Sequence, residues 1–313
     1  MKYRKYTKYS TDVSEIGFGA WQLGNVEEWG KMSDREAVNL VHKALDEGVN
    51  FFDTAPNYAN GNSERLLGEA LSHTDRGKVV ISTKFGHWAD GHTDFSAKAI
   101  RESVNQSLKR LKTDYVDSVL LHNPGTDMLD RNKCEHYEIL EGLKDEGKIL
   151  AYGASLDKAY EITSFLNNTG GEVIEAFFNI FHQDSRFAFD LAGEKETAVI
   201  VKIPLDSGWL TGKYTKGSSF GGIRSRWSEK DIHDRAALLD LIGKYPEKGQ
   251  SLAQFAIGFC LSYDAVSTVI PGVRNIEQLE MNIKSSMYDI PGRVIAELEE
   301  LFEMTIRPMN LPW

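Results

Sequence analysis

Cysteine is nearly absent. The 313 residues contain two, Cys134 and Cys260, which cannot build a disulfide framework and sit in neither a CxxC nor a metal-ligand spacing. No metal is therefore expected, and a reducing compartment is the simplest reading. Positive charge is in deficit: 36 Lys and Arg against 46 Asp and Glu leave −10. Such a surface repels phosphate backbones and argues against nucleic acid as a partner. Long hydrophobic runs are missing as well. The longest, Leu252 to Leu261, includes Gln254 and is too short to span a bilayer. No apolar stretch follows Met1-Lys2-Tyr3-Arg4-Lys5-Tyr6, so no secretory signal is expected. With no low-complexity tract or Pro-rich linker to divide it, the chain reads as a single domain over 1–313. The expectation is a soluble, cytoplasmic protein without a membrane partner.

What is present is ordinary globular material, 41% hydrophobic, 26% charged and 11% aromatic. Short apolar runs recur along it: Ile16 to Gly19, Val49 to Phe52, Val79 to Ser82, Val116 to Leu121, Leu150 to Tyr152, Val173 to Ile180, Ala198 to Ile203 and Val266 to Ile270. They are rich in β-branched and aromatic residues and do not alternate, which predicts strands buried on both faces. Between them lie helical patterns. Ala37, Leu40, Val41, Ala44 and Leu45 share one helix face, and Ile100, Val104, Leu108 and Leu111 share another. Eight strand–helix repeats in a chain of this length predict an α/β fold, a (β/α)₈ TIM barrel. Residues 2–15 are expected to form an N-terminal β-hairpin capping its floor. Residues 206–229 form a long Gly/Ser/Lys-rich connection after the seventh strand, of the kind that is usually functional.

The second, third and fourth of these strands end in Asp53, Lys84 and His122. In a parallel barrel the strand C-termini open on one face, where active sites sit. Tyr58 follows Asp53 on the next loop, stiffened by Pro56. Each residue alone has a plain structural explanation; their joint register at successive strand ends does not. A tyrosine titrates near about 10, and an adjacent ammonium lowers that value. An aspartate would hold the lysine, and a histidine would orient a carbonyl. The set can protonate a developing alkoxide, but it supplies no nucleophile, so the hydride must come from a cofactor.

These residues resemble the aldo-keto reductase family. The resemblance runs through Val13 to Trp21, Phe52-Asp53-Thr54-Ala55 with Tyr58 and Asn62-Ser63-Glu64, Ser82-Thr83-Lys84, Leu120-Leu121-His122, Pro204 to Tyr214, and Ile270 to Asn275 with Gln278 and Asn282. It spans nearly the whole chain in order. It implies Tyr58 as general acid, Lys84 and Asp53 as its supporting pair, and His122 as the group orienting the carbonyl. It further implies that Ala20, Trp21, Asp53, Ser155, Glu175 and Lys202 border the nicotinamide. Pro204, Leu205, Ser207, Gly208, Leu210 and Lys213 would wrap the pyrophosphate. Gly272, Arg274, Gln278 and Asn282 would hold the adenosine end. NADP(H) is the preferred cofactor on this reading, through Arg274, with NAD(H) possible. Trp21, Tyr58, Trp88, His122 and Trp227 are expected to wall the substrate pocket, favouring aromatic or bulky apolar carbonyls over small sugars.

Four positions depart from the family pattern. Leu156 follows Ser155 where Asn is frequent, and Glu175 replaces a carboxamide-binding Gln. Lys202 stands where an aromatic ring commonly stacks on the nicotinamide, and Met281 where an acidic adenine partner is common. Lysine has no planar face to stack. The expected function is reduction of a small-molecule carbonyl. The alternatives are a sugar or polyol dehydrogenase working in the oxidative direction, since the tetrad serves both, and a cofactor-sensing regulatory subunit. The intact tetrad and the lack of an added N-terminal segment argue against the last.

Overall fold

The computed structural model describes residues 1–24 and 30–313. A short antiparallel hairpin, β1 (Tyr3–Arg4) with β2 (Val13–Ser14), precedes an eight-stranded parallel sheet. Its strands are β3 (Phe18–Gly19), β4 (Phe51–Asp53), β5 (Val80–Phe85), β6 (Val116–His122), β7 (Ile149–Leu156), β8 (Val173–Phe177), β9 (Ala198–Lys202) and β10 (Val266–Ile270). Each pairs with its sequence neighbour. The ring closes where Ile16 bridges Val269 and Gly19 bridges Gly272, with Gly17 N–H donating to Val269 O at 2.9 Å.

Helices between the strands cover the outside, as the apolar periodicity requires. Asp34–Asp46 begins with a capping box of Ser33 and Glu36 and buries Ala37, Leu40, Val41 and Ala44; such a cap is worth about 1 kcal/mol. Ala97–Leu111 buries Ile100, Val104, Leu108 and Leu111 in the same way. The apolar run Leu252–Leu261 is a helix buried almost all round. Among the described residues no helix is long and apolar enough to cross a membrane.

Inside the barrel, alternate residues of each strand point to the axis. The lower layer is apolar: Phe51, Val80, Leu120, Ala151, Val173 and Ala198 form one cluster with Tyr6 and Val13 of the hairpin region. Tyr6 closes the floor, its hydroxyl 2.6 Å from Ser118 Oγ. Glycine is required at Gly153, where a Cβ would come within 1.9 Å of Val173 O. Further along each strand, in the same inward parity, stand Asp53, Lys84, His122, Ser155, Glu175 and Lys202. The pleat that packs the apolar floor therefore turns all six polar side chains into one mouth.

Candidate active site

The deepest group at the mouth is Lys84, whose side chain is 0% exposed. Its ammonium donates to Asp53 Oδ1 and Oδ2 at 2.8 and 2.7 Å and to Thr54 O at 3.1 Å. Glu175 Oε2 lies 3.0 Å from the same nitrogen, buried and without a hydrogen bond of its own. Lys84 Nζ stands 5.2 Å from the centre of the Tyr58 ring. His122 meets that ring edge-on, with centroids 6.0 Å apart, and His87 meets His122 at 5.0 Å.

The electrostatics differ from the sequence expectation at Tyr58. Lys84 does draw the phenol towards ionisation, but burial together with Asp53 and Glu175 outweighs it and holds the phenol above its ordinary value. Burial, reinforced by Lys84, Lys202 and His87, keeps His122 well below the usual imidazole range, and so neutral. Its Nδ1 is buried without a partner.

From this end a cleft of about 370 Å³ runs past Glu175, Lys202 and Ser207 to Gly272, Gln278 and Asn282. Its middle is a turn in which Asp206, Ser207 and Gly208 have φ of 43°, 53° and 100°. A Cβ on Gly208 would meet Lys213 and Tyr214 at 3.2 Å, so only glycine leaves the backbone open to the cleft. Asp206, fully buried, anchors the turn: Arg235 Nε donates to its Oδ2 at 2.9 Å, and His182 Nε2 lies 3.4 Å from its Oδ1. A continuous cleft with an open backbone turn at its centre fits an elongated dinucleotide. The far end of the cleft is where residues 271–275 lead from β10 into helix Ile276–Lys284, capped by Asn275.

The structure brings most of the expected residues to this cleft and corrects several. Trp21, Asp53, Tyr58, His122, Glu175, Lys202, Pro204, Leu205, Ser207, Gly208, Lys213, Gly272, Gln278 and Asn282 border it. Ala20, Ser155 and Leu210 are buried behind its wall. Arg274 is exposed and is not among the residues that border the cleft; the Gln278 side chain, which does, accepts from its backbone N–H at 2.9 Å. Lys202 is not positioned to stack a ring; its Nζ binds Ser155 Oγ at 2.8 Å, Asp157 Oδ1 at 2.9 Å and Asn123 Oδ1 at 3.0 Å. Two of the expected pocket walls, Trp88 and Trp227, are not among the residues that border the cleft. Trp88 stacks on His92 at 5.0 Å. Trp227 is 5% exposed, packed against Trp209 and Phe220. Each ring is held by neighbours on its own side of the wall, Trp88 by the His92 ring and Trp227 by an aromatic cluster.

The wall that sequence reasoning missed is Trp313. It borders the cleft, its ring 4.8 Å from Phe177 and 4.6 Å from the Arg226 guanidinium. Arg235 donates to Pro312 O at 2.7 Å and holds that segment in place. No local pattern marks a residue so remote in sequence. Glu175 did carry a signal: it is a carboxylate inside the apolar run Val173 to Ile180.

A family model described as the Aldo/keto reductase family matches residues 15–303. The chain is 33% identical to a probable voltage-gated potassium channel subunit beta of Arabidopsis thaliana, covering 91% of each chain. It is 27% identical to an NADH-specific methylglyoxal reductase of Escherichia coli, over 94% of this chain and 98% of that one. Among solved structures, the glycerol dehydrogenase of Gluconobacter oxydans superposes with a TM-score of 0.84 at 26% identity, covering 99% and 98% of the two chains.

Proposed function

Because the chain belongs to the Aldo/keto reductase family, we propose that it reduces aldehydes or ketones to alcohols with a nicotinamide cofactor, NADPH in preference to NADH. The observation that carries this reading is the meeting of Asp53, Tyr58, Lys84 and His122 at one end of the cleft. The cofactor supplies the hydride. Tyr58 is the general acid: its phenol stays protonated at neutral pH, as a donor must. The Lys84 ammonium, held by Asp53, stabilises the phenolate left behind. Neutral His122 donates a hydrogen bond to the carbonyl oxygen. Glu175 and Lys202 border the nicotinamide, with Ser155 holding both from behind, the Asp206–Lys213 turn receives the pyrophosphate, and residues 272–282 take the adenosine end.

The test is a panel of carbonyls and alcohols followed by nicotinamide absorbance, with both NADPH and NADH. Turnover of carbonyls supports the reading. Faster turnover of polyols with NADP⁺ would favour the oxidative direction, which the structural likeness to a glycerol dehydrogenase keeps in view. Tight cofactor binding with no turnover of any substrate would favour a regulatory role, the reading suggested by the channel-subunit relative.

Two expectations belong to this reading. Arg274, exposed beside the cleft-lining Gln278, is suited to a 2′-phosphate, and a charge-assisted pair there contributes roughly 1.5–3 kcal/mol. NADPH should then bind about tenfold or more tightly than NADH, and Arg274→Ala should remove the difference. Equal dissociation constants in the unaltered protein would sink this assignment. The aromatic wall formed by Trp21 and Trp313 favours apolar carbonyls over free sugars. Trp313→Ala should raise KM for an aryl aldehyde about tenfold while moving kcat little, consistent with roughly 1.5 kcal/mol of lost ring contact. An unchanged KM would remove Trp313 from the substrate site.

A further inference from the structure

Lys84 faces more negative charge than it can neutralise. Both oxygens of Asp53, the carbonyl of Thr54 and Glu175 Oε2 all lie within 3.1 Å of its ammonium, more acceptors than its donors can serve. The Asp53 and Glu175 side chains are each 3% exposed, and both reach the same ammonium, Asp53 Oδ2 at 2.7 Å and Glu175 Oε2 at 3.0 Å. Glu175 Oε1 accepts from Ser155 Oγ at 3.2 Å, while Oε2 makes no hydrogen bond. With four acceptors around three donors, Glu175 Oε2 has the ion pair with Lys84 at 3.0 Å but no hydrogen bond, and a proton on the pair removes the surplus charge and supplies the missing donor.

The surrounding groups offer no other relief. From β6, His122 is neutral. From the loop after β4, Tyr58 is a phenol, and from the floor the Tyr6 hydroxyl is engaged by Ser118 Oγ at 2.6 Å. From β9, Lys202 reaches Ser155 and is paired with Asp157 at 2.9 Å. Burial and the charge of Glu175 hold the Asp53 carboxyl well above the usual carboxylate range, against the pull of Lys84.

We propose that Asp53 and Glu175 hold one proton between them in the resting site, and release it when the site takes up an oxidised nicotinamide cofactor but not a reduced one. This rests on the function proposed above, which sets Glu175 beside the nicotinamide. Glu175 borders the cleft, so its carboxylate feels the charge of whatever occupies that end. An oxidised ring is a cation and supplies the positive charge that the pair lacks; a reduced ring is neutral. The balance closes over a reduction. The phenol O–H of Tyr58 breaks as the alcohol O–H forms, and the pair's proton, passed through Lys84, restores the phenol. Both carboxylates are then ionised beside the cationic ring, and solvent returns the proton once the cofactor departs. A glutamine at 175 could hold the carboxamide but could not store this proton.

Two measurements decide it. In the cofactor-free protein near neutral pH, the infrared carbonyl stretch of a buried carboxylic acid is expected and should vanish in Glu175→Gln. If that variant fails to fold, Asp53→Asn should lose the same band. In calorimetric titrations run in buffers of different ionisation enthalpy, NADP⁺ should release close to one proton and NADPH close to none. The dissociation constant of NADP⁺ alone should then fall by up to about tenfold per pH unit across the neutral range. NAD⁺ and NADH, run in parallel, should divide in the same way. An infrared band unchanged in both variants, or equal proton counts for oxidised and reduced forms, overturns the proposal. A chain that binds neither form overturns the proposed function and the release with it, while the infrared band still decides the resting proton.

Discussion

Tyr58→Phe should lose about 10²–10⁴-fold in turnover, the usual worth of a general acid, with cofactor binding nearly unchanged. The ring keeps its place against His122 at 6.0 Å and Lys84 at 5.2 Å, so only the donatable proton is removed. Steady-state rates with a reactive aldehyde, alongside fluorescence titration with NADPH, separate the two effects. A variant retaining more than a third of the original rate would mean that another group delivers the proton.

Lys84→Met should be the most damaging single change to the folded state. It removes the only ammonium placed between Asp53 and Glu175 among the described residues, leaving the buried carboxyl pair without its counter-charge. Breaking a buried pair in this way costs about 3–5 kcal/mol. The pH dependence has a definite sign. Without Lys84, burial and the charge of Glu175 raise the Asp53 carboxyl further in the folded state, so the folded variant binds a proton that the unfolded chain has already lost. Its stability is then greatest in mild acid and falls as pH rises. Urea midpoints at pH 6 and pH 8 should show the larger deficit at pH 8. A variant as stable as the original at pH 8 would imply that the two carboxylates are relieved by something other than Lys84. Turnover should fall as well, because the phenolate loses its supporting cation.

Part of the site was legible in the strand ends. Asp53, Lys84 and His122 could be aligned because each closes an apolar run, and a parallel barrel brings all such ends to one face. Tyr58 followed from its distance along the chain from Asp53. The pocket walls were not legible in the same way. Trp88 and Trp227 sit on loops, and a loop's course is set by what it packs on: His92 for one ring, Trp209 and Phe220 for the other. Lys202 was read as a poor ring-stacker on residue type alone. Its actual partners, Ser155, Asn123 and Asp157, come from other segments and become neighbours only when β9 lies beside β8 and near the ends of β6 and β7.

Ser155, Glu175 and Lys202 were reached through the family resemblance, while by itself the sequence determined the repeat of buried strands and amphipathic helices, the barrel they imply, and the strand ends that bring Asp53, Lys84 and His122 to one mouth. Those are consequences of local periodicity, which a strand of fixed pleat converts directly into side-chain direction. Tertiary structure alone decided the charge state of that mouth and its walls. Whether Lys84 serves one carboxylate or two depends on β8 standing across the barrel from β4. Whether Tyr58 is a ready phenolate or a retained phenol depends on that second carboxylate and on burial. Trp313 reaches the cleft because Arg235, itself held by Asp206, fixes the last residues against Phe177. Coulomb energies and apolar contacts depend on distance through space, and no periodicity along the chain encodes the distance between residues so far apart in it.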